Sequence, residues 1–196
     1  LIPNIINIKN YPFKLREKMR PRLLWVRSFH RQYNPNMAAD VLKKLSRIYP
    51  EAELCMVGPD KDGSMEDFRN YVNELGMGEQ IKITGLLKKE EWIKLAEDYD
   101  FFINTTNVDN TPISVIEAMA LGLNVISTDP GGIPFLLNND IDSVLVQRGD
   151  ACAMATEIEK LIKNPAKVGA LSKAARDKAE GFDYIHVLNQ WCELLV

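Results

Sequence analysis

Short apolar runs alternate along this chain with longer amphipathic stretches. Runs such as LLWV and NVIST place apolar residues at adjacent positions, which is typical of strands that are buried on both faces of a sheet. On this pattern we predict strands at residues 23–26, 53–57, 81–84, 101–105, 124–128 and 143–146.

The stretches between the runs place apolar residues three and four positions apart, which is the spacing of one helix face. We predict helices at residues 36–49, 65–75, 89–97, 112–121, 133–137, 151–163, 165–180 and 184–195. Strands that alternate with crossover helices indicate a doubly wound α/β fold of the Rossmann type, with a parallel sheet of about six strands and helices on both faces. In such sheets ligands bind beyond the carboxyl ends of the strands.

The segment NVDNTPISVIEAMALGLNVISTDPGGIP combines two carboxylates, a helix start and a glycine pair. Seven residues separate Asp109 from Glu117. Thr111 is expected to be the N-cap of a helix and Pro112 its first residue, because these residue types favour those positions. The helix should end before Gly122, which is a good residue for the turn after a helix.

This segment predicts a site for a diphosphate-linked, hydroxyl-rich ligand such as a nucleotide sugar. Backbone N–H groups and the dipole at a helix N-terminus favour phosphate. Carboxylates accept hydrogen bonds from sugar and ribose hydroxyls. Glu117 interrupts an apolar stretch, so its charge needs partners, and a structural salt bridge is an alternative to a ligand hydroxyl.

Composition agrees with one domain of ordinary size, because 196 residues with 46% hydrophobic content can form a real core. No apolar run approaches the length of a membrane span and no signal-peptide pattern opens the chain, so we expect a cytoplasmic protein. The three cysteines are far apart and match neither a disulfide framework nor a metal site.

Charge is distributed unevenly along the chain. The formal net charge is −3, yet residues 1–31 contain eight Lys or Arg and one acidic residue. A basic segment can meet an anionic ligand or a membrane surface, and a solvated linker is the favoured interpretation for residues 9–22. No nucleic-acid module is visible, so we expect no DNA or RNA partner.

The D-x7-E spacing followed by EAMALGLNVISTDPGGIP resembles the donor-binding motif of the retaining glycosyltransferases of family 4. The resemblance extends from about Leu23 to the end of the chain. It implies the C-terminal half of a GT-B enzyme, with a basic run-in at residues 1–22 and a nucleotide-sugar-binding domain at 23–196. The acceptor-binding N-terminal domain, which also carries the family's catalytic-centre histidine, is then missing from this chain.

The resemblance also implies site residues. It assigns the donor diphosphate to Arg27 and a lysine five residues later, where this chain has Gln32. Two expectations stay open: Arg31 or His30 substitutes for the lysine, or the site binds donor more weakly. The nucleotide base is expected beside Gly85, with backbone contacts from the two leucines that follow. The other implied donor-binding positions are Gly58, Leu86, Leu87, Asn110, Thr111, Ile113, Gly131 and Gly132.

Glu117 and Asp109 are the carboxylates that the resemblance makes candidates for the catalytic centre, on the ribose and the donor sugar respectively. The chain departs from the family pattern here, because Asp109 is one methylene shorter than glutamate and Pro112 has no N–H. The resemblance implies no essential metal in this domain and no cofactor beyond the nucleoside-diphosphate sugar that serves as donor.

The sequence therefore predicts the donor-binding half of a hexosyltransferase that acts in polysaccharide or glycolipid synthesis and has little activity alone. Peripheral membrane association of the whole enzyme stays open. Two alternatives also stay open: a nucleotide-sugar epimerase of GT-B fold, and a non-catalytic nucleotide-sugar-binding module. A dehydrogenase is disfavoured, because no G-x-G-x-x-G follows the first strand.

Overall fold

The computed structural model describes residues 4–16 and 18–195, and a single parallel sheet lies at its centre. The strands are β1 (Arg22–Val26), β2 (Glu53–Val57), β3 (Ile81–Gly85), β4 (Phe101–Asn104), β5 (Asn124–Thr128) and β6 (Val144–Val146). They are ordered β3, β2, β1, β4, β5, β6 across the sheet, and all pairs are parallel. The predicted fold class is confirmed.

Helices cover both faces of this sheet. They are α1 (Pro35–Leu45), α2 (Ser64–Leu75), α3 (Lys89–Leu95), α4 (Ile113–Ala120), α5 (Ile133–Leu136), α6 (Ala151–Ile162), α7 (Pro165–Glu180) and α8 (Tyr184–Leu195). Helix α1 packs against α2 and α6 on one face, and α4 packs against α7 on the other. Strand residues alternate between the two cores, so Leu23 and Trp25 enter the first while Leu24 enters the second.

The strand order reverses between β1 and β4, which lie side by side with Leu23 opposite Phe101. The chain leaves β1 toward one side of the sheet and leaves β4 toward the other. A crevice forms at such a point beyond the carboxyl ends of the strands, and ligands of doubly wound sheets bind there.

The predicted strands are all confirmed within one residue at each end. Two predicted helices are too long. Helix α1 ends at Leu45 rather than at residue 49, because the turn that follows runs into Pro50, and a residue before proline avoids the helical conformation. Helix α3 ends at Leu95, and its last predicted turn is the tighter 3-10 turn Ala96–Asp98.

The prediction of a solvated linker at residues 9–22 is wrong for the part that carries Tyr11 and Arg16. These side chains are 5% and 4% exposed. The Arg16 guanidinium meets Asp100 and donates to backbone carbonyls over 2.7 to 2.9 Å, because a buried arginine needs acceptors for its donors. Those carbonyls belong to Lys14, Ala96, Tyr99 and Leu121.

The start of the described chain is also attached to the start of α8. Ile6 pairs with Asp183: its N–H donates to Phe182 O and its carbonyl accepts from Tyr184 N, both at 3.0 Å. The Asp183 carboxylate accepts from Ile8 N at 2.9 Å. None of the described helices combines the length and the apolar character that crossing a lipid bilayer requires.

Candidate functional site

A cleft of about 590 Å³ lies at the carboxyl ends of β1, β2 and β3, beside the start of α4. Its volume is in the range of small-molecule sites. Its lining includes eight of the predicted site residues: Arg27, Gly58, Leu86, Leu87, Asp109, Thr111, Ile113 and Glu117. The strand ends bring these residues together from distant parts of the sequence, as predicted.

Arg27 follows β1 and is the cation at the back of this cleft. Its side chain is only 12% exposed and forms an ion pair with Asp109, which follows β4. Its guanidinium also lies 4.8 Å from the centre of the Tyr33 ring and 3.4 Å from Asn104 Oδ1. Burial lowers the pKa of Arg27, whereas the charge of Asp109 acts in the opposite direction. The cation is therefore held in a fixed place by three neighbours.

Gly58 allows the end of β2 to approach Arg27. A Cβ at this position would lie 1.7 Å from the carbonyl oxygen of Arg27, and its φ of +149° is one that other residues rarely adopt. Its N–H donates to Gly85 O at 2.9 Å. Gly58 thus joins the ends of β1, β2 and β3, and Gly85 supports the cleft from behind without lining it.

Glu117 lies on α4 and is 3% exposed. Its Oε1 accepts from the Tyr11 hydroxyl at 2.7 Å and pairs with the Lys89 ammonium. The salt bridge that the sequence left as an alternative is therefore present. Glu117 nevertheless lines the cleft, and no partner for its Oε2 is found among the described residues.

The start of α4 supplies unused hydrogen-bonding groups to the same cleft. Pro112 is the N-cap and Ile113 the first helical residue, so the predicted N-cap at Thr111 is wrong by one position. The physical reason is that Pro112 has an extended conformation, with φ −67° and ψ 120°. Within residues 4–16 and 18–195, the backbone N–H groups of Ile113 and Ser114 and the buried Ser114 Oγ have no partner.

Gly131 and Gly132 lie outside the lining of the cleft. A Cβ at Gly131 would be 2.3 Å from Asp109 O, and one at Gly132 would be 2.5 Å from Asn110 O. The N–H of Gly132 donates to Asp109 O at 2.8 Å. The close approach that these glycines permit is thus between two loops of the protein, and it places Asp109.

Arg31 and His30 do not reach the cleft as substitutes for the missing lysine. Arg31 is directed to another part of the surface, where its side chain is 81% exposed and lies 3.6 Å from Asp67. His30 lies 3.6 Å from Asp62. Gln32 donates to Val108 O at 2.8 Å and so fixes the loop after β4.

Sequence reasoning missed residues that the structure brings to this site. Lys89, Tyr33 and Trp92 line the cleft, and Tyr11 contacts Glu117 behind it. Arg27 and Lys89 are the cations among the described lining residues. For Lys89 the sequence did contain a signal, because a lysine at the start of the helix after β3 lies near the carboxyl ends of the strands. Asn110 is exposed and does not line the cleft; its N–H donates to the Asp109 carboxylate at 2.9 Å.

The fold and the site together define a Rossmann-type domain with a cleft suited to an anionic ligand that carries hydroxyl groups. Arg27 and the free N–H groups of α4 can bind phosphate oxygens, and the two carboxylates can accept hydroxyl hydrogens, with Lys89 paired to one of them, Glu117. No group of three or more His, Cys, Asp or Glu side chains is placed to hold a metal ion in the part of the chain that the structure describes.

Sequence comparison identifies the family of this domain. The chain belongs to the glycosyl transferases group 1 family, whose model matches residues 7–178. The prediction of a glycosyltransferase domain is therefore confirmed at the level of the family.

Relatives and solved structures agree with this assignment. The amylovoran biosynthesis glycosyltransferase AmsK of Erwinia amylovora is 31% identical over 106 residues, which cover 51% of this chain and 26% of AmsK. The sulfoquinovosyl transferase SQD2 of Arabidopsis thaliana is 26% identical over 148 residues, which cover 74% of this chain and 28% of SQD2. The chain thus spans little more than a quarter of the length of these relatives.

The crystal structure of Anabaena HepE in complex with UDP-glucose has the same fold. It superposes with a TM-score of 0.88 over 99% of this chain and 56% of HepE, at 18% identity. The domain thus matches the Rossmann-like domains of GT-B glycosyltransferases.

Proposed function

We propose that this chain is the donor-binding domain of a retaining glycosyltransferase of family 4, which transfers a hexosyl group from a nucleoside-diphosphate sugar to an acceptor. The observation that carries the proposal is the cleft in which Arg27, the free N–H groups of α4 and the buried Glu117 meet. Arg27 and the helix N–H groups suit the diphosphate of a nucleotide, and the carboxylate suits its ribose hydroxyls.

In the proposed complex the donor diphosphate lies between Arg27 and the start of α4, within reach of the N–H groups of Ile113 and Ser114. The ribose hydroxyls lie against Glu117. The base lies over the backbone that follows β3, beside Leu86 and Leu87, and the donor sugar lies toward Asp109. In this arrangement the diphosphate, the ribose, the base and the sugar each contact a different part of the cleft.

Transfer breaks the bond between the anomeric carbon of the sugar and the β-phosphate oxygen, and the nucleoside diphosphate leaves with the bonding electrons. Arg27 and the helix N–H groups stabilise this charge where it develops, which is a large contribution to many transfer reactions. The acceptor oxygen bonds to the anomeric carbon, and its proton passes to the departing phosphate oxygen. Residues of the proposed acceptor-binding domain complete the reaction, so this chain alone binds donor and transfers little.

The names of the similar proteins support a setting in glycan synthesis. HepE was solved with UDP-glucose, and AmsK is described as acting in amylovoran biosynthesis. We extend this to the present chain as polysaccharide or glycolipid synthesis from a nucleotide sugar at the cytoplasmic side, with peripheral membrane association of the whole enzyme.

Calorimetric titration of the chain with UDP, GDP and their sugar conjugates tests the proposal. We expect micromolar binding of one nucleotide series, and a loss of at least about tenfold in affinity for Arg27→Ala and Glu117→Ala, because each removes a charged hydrogen-bonding partner. Arg22→Ala is the matched control: Arg22 begins the strand that Arg27 follows, and it pairs with Glu53 at the amino ends of β1 and β2, away from the cleft.

Binding by wild type and by Arg22→Ala, together with loss in both cleft variants, would support the donor site and identify the base. No binding by wild type, or equal losses in Arg22→Ala and Arg27→Ala, would contradict it.

A further inference from the structure

Glu117 is held through one of its two carboxylate oxygens. The Tyr11 hydroxyl and the Lys89 ammonium both contact Oε1, while no partner of Oε2 is found among the described residues. Among the described residues, the fully buried side-chain oxygens and nitrogens that lack a partner are Ser114 Oγ and Asn124 Oδ1. Glu117 Oε2 also lacks a partner in this part of the chain but is not one of them, so it is partly accessible, and Glu117 lines the cleft. The carboxylate therefore presents one free acceptor to the ligand space.

Tyr11 is fixed in place by contacts on its own backbone. Its carbonyl oxygen accepts from Arg176 Nη1 at 2.8 Å, and the same nitrogen donates to Ala120 O at the end of α4, at 2.7 Å. Arg176 thus connects Tyr11 to the helix that carries Glu117. Burial and the hydrogen bond to Glu117 raise the pKa of Tyr11, so its hydroxyl stays a hydrogen-bond donor at physiological pH.

Lys89 contacts Glu117 from α3 and lines the cleft. It is the first residue of α3, and its ammonium lies 5.8 Å from the centre of the Trp92 ring. Its side chain is 47% exposed while that of Glu117 is 4% exposed, so the lysine brings a hydrated positive charge to a buried carboxylate. A buried carboxylate without such a partner is strongly disfavoured.

We infer that Tyr11 and Lys89 are positioning residues that hold Glu117 by Oε1, so that Oε2 accepts the ribose hydroxyls of the donor nucleotide. This inference rests on the proposed function, because it concerns the same cleft. A ribose can bind Oε2 without displacing either residue. Neither Tyr11 nor Lys89 belongs to the D-x7-E motif. By holding Glu117, they increase the preference of the site for nucleotides with ribose hydroxyls over deoxyribose nucleotides.

The test is the ratio of affinities for a nucleoside diphosphate and its deoxyribose analogues. We would titrate UDP and GDP, each against its 2′-deoxy and 3′-deoxy forms, into wild type, Glu117→Gln, Tyr11→Phe and Lys89→Met. The controls are Tyr71→Phe, whose hydroxyl donates to Asp40 away from the cleft, and Lys94→Met, which changes an exposed lysine of the same helix. Circular dichroism checks that each variant is folded.

We expect wild type and both controls to prefer the ribose form by about tenfold, the value of one hydrogen bond to a charged group. In Glu117→Gln, Tyr11→Phe and Lys89→Met the ratio should fall toward one, while affinity for the deoxy forms stays nearly constant. A loss confined to the ribose form is a change that general destabilisation of the fold would not produce.

The possible failures are distinguishable. If the preference is lost in Glu117→Gln but kept in Tyr11→Phe and Lys89→Met, the inference is wrong and the proposed function stands. If Lys89→Met weakens the deoxy forms equally, Lys89 binds another part of the nucleotide and its positioning role is wrong. If wild type binds none of the nucleotides, the inference and the proposed function both fail.

Discussion

Charge in the cleft is balanced residue by residue. Arg27 pairs with Asp109 and Lys89 pairs with Glu117, so each cation that lines the described cleft has an acidic partner. Ion pairs of this kind avoid an uncompensated buried charge while the cleft is empty. In the proposed complex the diphosphate competes with Asp109 for Arg27, whereas the ribose adds to Glu117 without such competition.

Gly131 has no side chain, so the loop after β5 can approach the backbone of Asp109 closely. We predict that Gly131→Ala lowers the free energy of unfolding by about 2–4 kcal/mol, because the φ of +61° is unfavourable for alanine and the new Cβ would lie 2.3 Å from Asp109 O. Urea denaturation measures the loss.

Gly149→Ala is the control for this substitution. Gly149 has a φ of +79° but open space around its Cβ position, so it carries the conformational cost alone, about 1–2 kcal/mol. Equal losses in the two variants would show that contact between the loops after β4 and β5 is unimportant.

At the scale of secondary-structure elements, the contact between Asp183 and the N-terminal segment joins α8 to the start of the chain. Burial acts against ionisation of Asp183, but the N–H groups of Ile185 and Ile8 donate to its carboxylate, and the net effect is a pKa below the usual value. The ionised carboxylate is thus bound more favourably in the folded state than in the unfolded state.

We predict that Asp183→Asn lowers the free energy of unfolding by about 1 kcal/mol at neutral pH, because an amide has one acceptor oxygen for two N–H donors. A depressed folded-state pKa contributes stability above the unfolded-state pKa of about 4, and that contribution is lost as the pH falls through the folded-state value. The difference between wild type and variant should therefore shrink in acid.

Denaturation curves from neutral pH to acid measure this difference. Asp177→Asn, at an exposed position of α7, is the matched control and should show no such trend. A pH-independent difference for Asp183→Asn would contradict the role of the ionised carboxylate.

The elements were predictable from sequence because parallel strands covered on both faces appear as continuous apolar runs. Helix ends were less so: the last turns of α1 and α3 depend on local turns that the spacing of apolar residues does not record. Much of the site was predictable as well, since Asp109 and Glu117 share one motif and Arg27 ends a strand.

The partners of Glu117 were not predictable. Lys89 and Tyr11 are 28 and 106 residues from it along the chain, and only the folded chain brings them together. The burial of Arg16 was hidden for the same reason: a basic stretch has the composition of a solvated segment, while its carbonyl partners at Ala96, Tyr99 and Leu121 lie far away in sequence.

At the scale of the whole molecule, residues 4–16 tie several elements together. Arg16 bonds to the ends of α3 and α4, the backbone of Tyr11 bonds to α7, and Ile6 pairs with the residue before α8. The hydroxyl of Tyr11 also contacts Glu117, which lines the cleft. The segment is thus part of the folded domain and supports the site, which agrees with a family match that begins at residue 7.

Trp92 is an intrinsic fluorescent probe of the cleft. It is 4% exposed and lines the cleft beside Lys89, whereas Trp25 is enclosed in the opposite core and Trp191 is on α8. We predict that a bound nucleoside diphosphate changes the intrinsic fluorescence, and that Trp92→Phe removes this signal while calorimetry still detects binding. Trp25→Phe, the control, should keep it; a signal that survives in Trp92→Phe would contradict the assignment. Occupancy of the cleft can then be followed by emission alone, without a labelled ligand or a known acceptor.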